Sequence, residues 1–218
     1  MLCSRWLAGA ALVAAAVLSL QAQPAKETAP EIKGIPPRAT PGDYQFQSKA
    51  GDYTIAAEFT GHSLPTDQGS LTTPDYVAVE AAVFGPAKLR ISVADFSLRL
   101  NKKKIVQSVP YGMTFSSLKD PEWVPPEGDP SSKKSKGGIS TGGGGQGGSN
   151  DPPPPVKIPV EVQRAMAHRV QRAAMPEGDR ELPVAGLIFF QYRAKTENLE
   201  SIELVYEGPA GKATLKLQ

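Results

Sequence analysis

Tyr76-Val77-Ala78-Val79-Glu80-Ala81-Ala82-Val83-Phe84 decides the fold class. Val77, Val79, Ala81 and Val83 recur every second residue, and β-branched side chains at that period belong on one face of a strand. Gly85-Pro86 ends the run, because proline has no N–H for a ladder and glycine relaxes the backbone. Upstream, Tyr53, Ile55, Ala57 and Phe59 alternate with Thr54, Ala56 and Glu58 as in a half-buried strand, and Gly61-His62-Ser63-Leu64-Pro65 reads as a break. Downstream, Leu89 and Ile91 sit two apart. Phe96, Leu98 and Leu100 alternate with Ser97, Arg99 and Asn101. Lys102-Lys103-Lys104 is turn-like, and Ile105-Val106 begins a return strand, which makes a hairpin with a polar solvent face.

Three further strand signals close the chain. Gly186-Leu187-Ile188-Phe189-Phe190-Gln191-Tyr192 is the most apolar and reads as a central strand. Ile202, Leu204 and Tyr206 alternate, Glu207 to Gly211 is a turn, and Ala213, Leu215 and Leu217 finish the set. About seven or eight short strands with turn punctuation predict an all-β chain, an immunoglobulin-like antiparallel β-sandwich. One helix interrupts it. Val162, Met166 and Val170 form an apolar stripe over residues 160–175, Pro159 suits the first turn, and Pro176-Glu177-Gly178 stops it. Residues 126–155, with Gly142 to Gly145 and Pro152 to Pro155, bury too little to offset their ordering entropy and read as a disordered insertion. The glycines lack the Gly-Lys-Ser/Thr spacing of a phosphate loop.

The first 22 residues carry one early charge, Arg5, then an apolar run from Leu7 to Leu20 and Gln21-Ala22. That is the layout of a signal peptide, shorter than the roughly 20 apolar residues of a membrane span. An uncleaved N-terminal anchor is the alternative. A lipidated cysteine should follow the apolar run, and Cys3 precedes it. The domain expectation is therefore 1–22 signal peptide, 23–42 a poorly ordered Pro-rich leader and 43–218 the β-sandwich, with the chain exported to the periplasm or beyond the cell. Cys3 is the sole cysteine, so the exported part has no disulfide, no nucleophilic cysteine and no Cys-ligated zinc. Net charge is +2, which gives no reason to expect nucleic acid.

No catalytic constellation stands out. His62 and His168 are the only imidazoles and fall in a loop and a helix, with no ligand-spaced partners for a metal. Asp95 reads as a turn or strand-edge residue, Asp120 before Pro121 as a turn, and no Gly-x-Ser-x-Gly elbow occurs. Trp123, in a proline-bracketed segment, either packs on the sandwich edge or is displayed. If displayed, Trp123, Tyr111 and Phe115 are the candidate partner-binding surface. Arg164, Arg169 and Arg172 on the helix, with the Lys133 to Lys136 cluster, are a candidate basic surface for anionic lipid or polysaccharide, although packing of the helix on the sheet competes with that reading.

Two stretches carry a family resemblance. One is Tyr76-Val-Ala-Val-Glu-Ala-Ala-Val83 followed by Leu89 to Leu100 with its Phe96-x-Leu98 core. The other is Leu182 to Phe190 followed by Ser201 to Gly208 with Leu204-Val-Tyr206. Together they resemble the secreted immunoglobulin-like domains of uncharacterised function in bacterial envelope proteins, similar in fold to the mycobacterial immunoprotective extracellular protein. The long Gly/Pro insertion and the helix depart from that family. The resemblance implies a fold and an address, with no catalytic residues and no cofactor. The expected function is an exported, non-enzymatic binding or scaffolding domain whose partner is an unidentified envelope protein or surface component. The alternative is an envelope-surface-associating module using the basic helix, the one reading that involves membrane contact. Carboxylate catalysis is a third option and would require an acidic pair in a cleft.

Overall fold

The computed structural model describes residues 32–124 and 158–218, so the expected signal peptide, the first part of the expected leader, the stretch 126–155 and the Lys133 to Lys136 cluster lie outside the described residues. Twelve strands and one α-helix follow in order: β1 (Phe46–Ala50), β2 (Tyr53–Gly61), β3 (Ser63–Thr66), β4 (Gly69–Thr72), β5 (Tyr76–Phe84), β6 (Leu89–Ile91), β7 (Phe96–Leu100), β8 (Lys104–Val109), α1 (Val160–Ala173), β9 (Gly178–Arg180), β10 (Val184–Gln191), β11 (Ile202–Gly208) and β12 (Gly211–Lys216). Eight of them form one antiparallel sheet in the order β1-β2-β5-β10-β8-β7-β11-β12. β3–β4 and β6–β9 are separate two-stranded pairs.

The sheet curls until its two outer strands meet. A Cβ on Gly211 would sit 3.6 Å from the backbone of Ala50 and Gly51, so the β11–β12 turn lies against the end of β1. The result is close to a barrel, with no ladder across the seam. The expected central strands are central: β5 and β10 pair over eight residues, from Val184↔Val83 to Gln191↔Tyr76. The opposite join is thin, since β10 and β8 pair only at Phe189↔Val109 and Phe190↔Ser108.

Val77, Val79, Ala81 and Val83 share one face as their spacing requires, and they point inward with Ile55, Ile188, Phe190, Phe96, Leu98, Leu204 and Tyr206. The other face of β5 is buried as well, from Tyr76 through Val83. There Ala78, Leu187 and Phe189 meet Met166, Val170 and Ala173 of α1 and Leu64 and Leu71 of the β3–β4 hairpin. Burying each such aliphatic or aromatic side chain contributes roughly 1.5–3 kcal/mol.

Two expectations need correction. The break at residues 61–65 is the start of a hairpin, with Leu64 and Leu71 paired across it and both fully buried beneath α1. Pro65 is tolerated because this pair is not part of the main ladder. The leader is also ordered from Ile32 onward. Gly34 N–H donates to Arg172 O at 2.9 Å and Ile35 N–H to Ala185 O at 3.0 Å, and Ile32 and Ile35 pack into the helix-side cluster. Two apolar side chains and a backbone bridge to β10 are enough to hold a segment that its prolines alone mark as loose.

Helix α1 ends at Ala173, two residues before the sequence expectation, because the chain must turn to meet β10. Ala174 bridges Leu187 in parallel, and Met175 N–H donates to Leu187 O at 3.0 Å. This approach needs a glycine opposite. A Cβ on Gly186 would lie 2.6 Å from Met175 N and 2.8 Å from the Ala174 carbonyl carbon, both backbone atoms that cannot swing aside. Gly186→Ala is therefore expected to destabilise the fold by about 2 kcal/mol or more in a urea melt, against the usual small gain of Gly→Ala at an open site.

Candidate functional site

The outer layer over β5 and β10 holds most of the candidate residues. It comprises a strap, residues 32–44, then the β3–β4 hairpin, helix α1 and a 3₁₀ turn at Tyr111–Ser117. Every polar group brought in with this layer must find a partner.

The three arginines of α1 do not form a common basic surface. Arg169 is only 9 % exposed. Its Nη1 donates to Asp120 Oδ2 at 2.8 Å, its Nη2 to Gln68 O at 2.7 Å and its Nε to Thr66 Oγ1 at 3.2 Å. It bolts the helix to the hairpin and to the segment before Trp123. Arg172 pairs with Asp67 at 3.1 Å on the surface. Only Arg164 is exposed with no ion pair among the described residues. The expected basic surface is corrected accordingly: Arg169 stands three residues after Met166 and four before Ala173, both buried, so the helical period puts it on the covered side of α1, where it meets the hairpin.

The aromatic candidates separate too. Tyr111 and Phe115 stand one turn apart with ring centroids 5.8 Å from each other. Tyr111 packs against the helix-side cluster, as do Ile158 and Val162 near the start of α1. The turn is pinned from below: buried Thr114 donates to Tyr111 O at 2.7 Å, and Ser117 Oγ lies 2.6 Å from Thr73 Oγ1. With its base fixed, the turn displays Met113, 56 % exposed, and Phe115, 38 % exposed, while Val160 at the helix start is 56 % exposed. Trp123 is half-buried and makes no ring contact with either aromatic. Asp120 does occupy a turn, accepting Glu122 N–H at 3.0 Å.

The histidines stay apart, one between β2 and β3 and the other exposed on α1. His62 is a pin: Nδ1 lies 2.9 Å from Thr73 O and 2.7 Å from Tyr76 O, and Nε2 lies 3.0 Å from Ala194 O. No group of three metal-ligating side chains occurs among the described residues.

Sequence reading missed a carboxylate pair. Glu58 and Glu80 are direct cross-strand partners on the outer face of β2 and β5. Like charges so placed repel. Arg38 of the strap sits between them, with Nη2 at 2.6 Å from Glu58 Oε2 and 3.5 Å from Glu80 Oε1. The guanidinium also lies 4.4 Å from the Tyr44 ring centroid, and Arg38 N–H donates to Tyr44 Oη at 3.2 Å. Glu80 is 9 % exposed. Burial pushes its carboxyl above the usual range, Arg38 pulls it back, and Glu58 pushes it up again. Burial raises the Tyr44 phenol in the same way. Asp95 is raised by burial and by Glu177.

Glu80 lines a cleft of about 510 Å³ between the strap, the hairpin tip and the end of α1. Gly34 lets the strap pass there: its φ is +76°, and a Cβ would strike the Ala185 carbonyl oxygen. The period-two pattern places Glu80 on the outer face. No local signal says that Glu58 will pair beside it or that a proline-rich segment will cover both.

No family model, curated protein or solved structure matches this chain.

Two outcomes follow from this layer. Arg169→Ala strands Asp120 in a partly buried site and is expected to cost about 3 kcal/mol, whereas Arg172→Ala breaks an exposed pair and should cost less than about 1 kcal/mol. Chemical denaturation of both variants checks the contrast. The fold holds the Glu80 proton more tightly than the unfolded chain does. Its contribution is therefore full below the unfolded carboxyl range and is lost as pH rises through the folded value. Glu80→Gln is thus expected to melt at or above the parent temperature at neutral pH, with the difference closing in acid. A lower melting temperature at neutral pH would show that the Arg38 attraction outweighs burial.

Proposed function

We propose that this chain is an exported, non-enzymatic binding domain of the immunoglobulin-like class, acting on a protein partner in the periplasm or outside the cell. The signal-peptide layout of residues 1–22 supports the address. The thin β10–β8 join supports the class: it divides the sheet into β1-β2-β5-β10 and β8-β7-β11-β12, two four-stranded halves that share one core.

One observation carries the binding reading. Met113 and Phe115 project from a turn whose base is hydrogen-bonded and packed, and exposed Val160 belongs to the helix against which that turn packs. Apolar side chains held out by a rigid support are what a protein partner desolvates at the centre of an interface. The basic-helix alternative has less behind it, because Arg169 and Arg172 already have carboxylate partners. Among the described residues no helix is long and apolar enough to cross a membrane.

The test is capture of partners from a native envelope extract by the exported chain. Met113→Ser with Phe115→Ser is expected to lose them while melting within about 1 kcal/mol of the parent, since both side chains are exposed. Trp123→Ala should retain capture. Unchanged capture by the double variant sinks the surface, and capture of anionic liposomes at low salt by the parent would favour the alternative.

A further inference from the structure

We propose that the open seam between β8 and β10 takes up a short extended peptide bearing acidic side chains, which pairs with the free edge of β8 as an added strand. This site is separate from the Met113–Phe115 surface and does not rest on it.

One edge of β8 is paired with β7 from Ser97↔Gln107 to Leu100↔Lys104. The other edge meets β10 only at Phe189↔Val109 and Phe190↔Ser108. Beyond Phe190 the chain keeps to β5 instead, with Gln191 opposite Tyr76 and Tyr192 N–H donating to Asp75 O at 3.0 Å. On this second edge, residues 104–107 therefore have no strand partner among the described residues, although β7 holds them extended. A row of unpaired N–H and C=O groups on a fixed strand is a template for another extended chain. The two strands diverge into a wedge of about 540 Å³, with residues 104–107 on one side and residues 191–193 on the other. Ile105 is 59 % exposed there, an apolar side chain that a neighbouring strand would cover.

Charge selects among extended chains. No carboxylate among the described residues lines the wedge. Lys104 lines it, and neither Lys104 nor its neighbours Lys102 and Lys103 in the adjoining turn has an ion pair among the described residues. Arg193, on the opposite wall, already pairs with Asp75 at 3.3 Å. The uncompensated charge is thus positive and belongs to the β8 side. Acidic side chains on the incoming strand gain from it. The same lysines oppose the pairing of two β8 edges, which disfavours a second copy of this chain as the occupant.

The test is titration of the isotope-labelled full chain with the blocked peptide Ac-Glu-Val-Thr-Val-Glu-NH2, followed by NMR. Its counterparts are the same peptide with lysine for both glutamates, and a fully N-methylated form that cannot complete a ladder. The expected result is a saturable shift of the amide signals of residues 104–107 with the acidic peptide alone, and slowed hydrogen exchange at alternate amides of that stretch. Lys102→Glu with Lys104→Glu should weaken the acidic peptide by about tenfold or more and admit the lysine peptide. A thermal melt confirms that this variant is folded. Phe115→Ser should bind as the parent does, so this site and the displayed surface fail independently. The proposal is overturned if no saturable shift appears at residues 104–107, if the methylated or the lysine peptide binds the parent equally well, or if the charge-reversed variant binds the acidic peptide as tightly as the parent. Slowed exchange of the same amides that grows with protein concentration and needs no peptide would assign the edge to a second copy and overturn it as well.

Discussion

Burial of strands β5 and β10 on both faces is the constraint on which the other elements depend. Their inward side chains, Val77, Val79, Ile188 and Phe190 among them, are covered when the sheet curls until β1 approaches the β11–β12 turn. Their outward side chains, Ala78, Leu187 and Phe189, face away from that core and need a second cover. Helix α1, the β3–β4 hairpin and the strap supply it. With Cys3 as the only cysteine, no disulfide can substitute for this packing. Each covering element alone is too small to be stable, and each is held by what it buries against the sheet.

The second cover brings charge into places where water is scarce. Arg169 enters with α1 and is matched by Asp120, Thr66 and Gln68. Glu58 and Glu80 are put side by side by the β2–β5 register and are matched by one arginine from the strap. The first arrangement balances in charge and reads as structural. The second shares one guanidinium between two carboxylates at the edge of a cleft that Lys33 and Arg172 also line.

Legibility in the sequence tracked how local the physics was. Strands β2, β5, β7, β10, β11 and β12 were readable because alternation is set by the pleat itself. Helix α1 was readable from its stripe at a spacing of four, and its early end was not, because that end depends on a backbone contact with Leu187. Leu64 and Leu71 look like isolated apolar residues in a turn-rich stretch until the helix covers them. The prolines of the strap point correctly to a segment without regular structure. They do not say that Ile35 will bridge to β10. Of the candidate aromatics, Tyr111 and Phe115 do meet, one turn apart, because their spacing of four is local. Trp123 does not join them.

The alternation of apolar and polar residues determined by itself that this chain is mostly β and which stretches are central, since a strand's two faces are defined by neighbouring residues alone. The placement of charge was decided only by the tertiary structure. Arg164, Arg169 and Arg172 are alike in sequence, yet one is exposed, one is buried in a three-way bolt and one is paired at the surface. Glu58 and Glu80 lie on different strands and become neighbours only through register. A charge takes its meaning from the dielectric and the partners around it, and both arrive from elements distant in the chain.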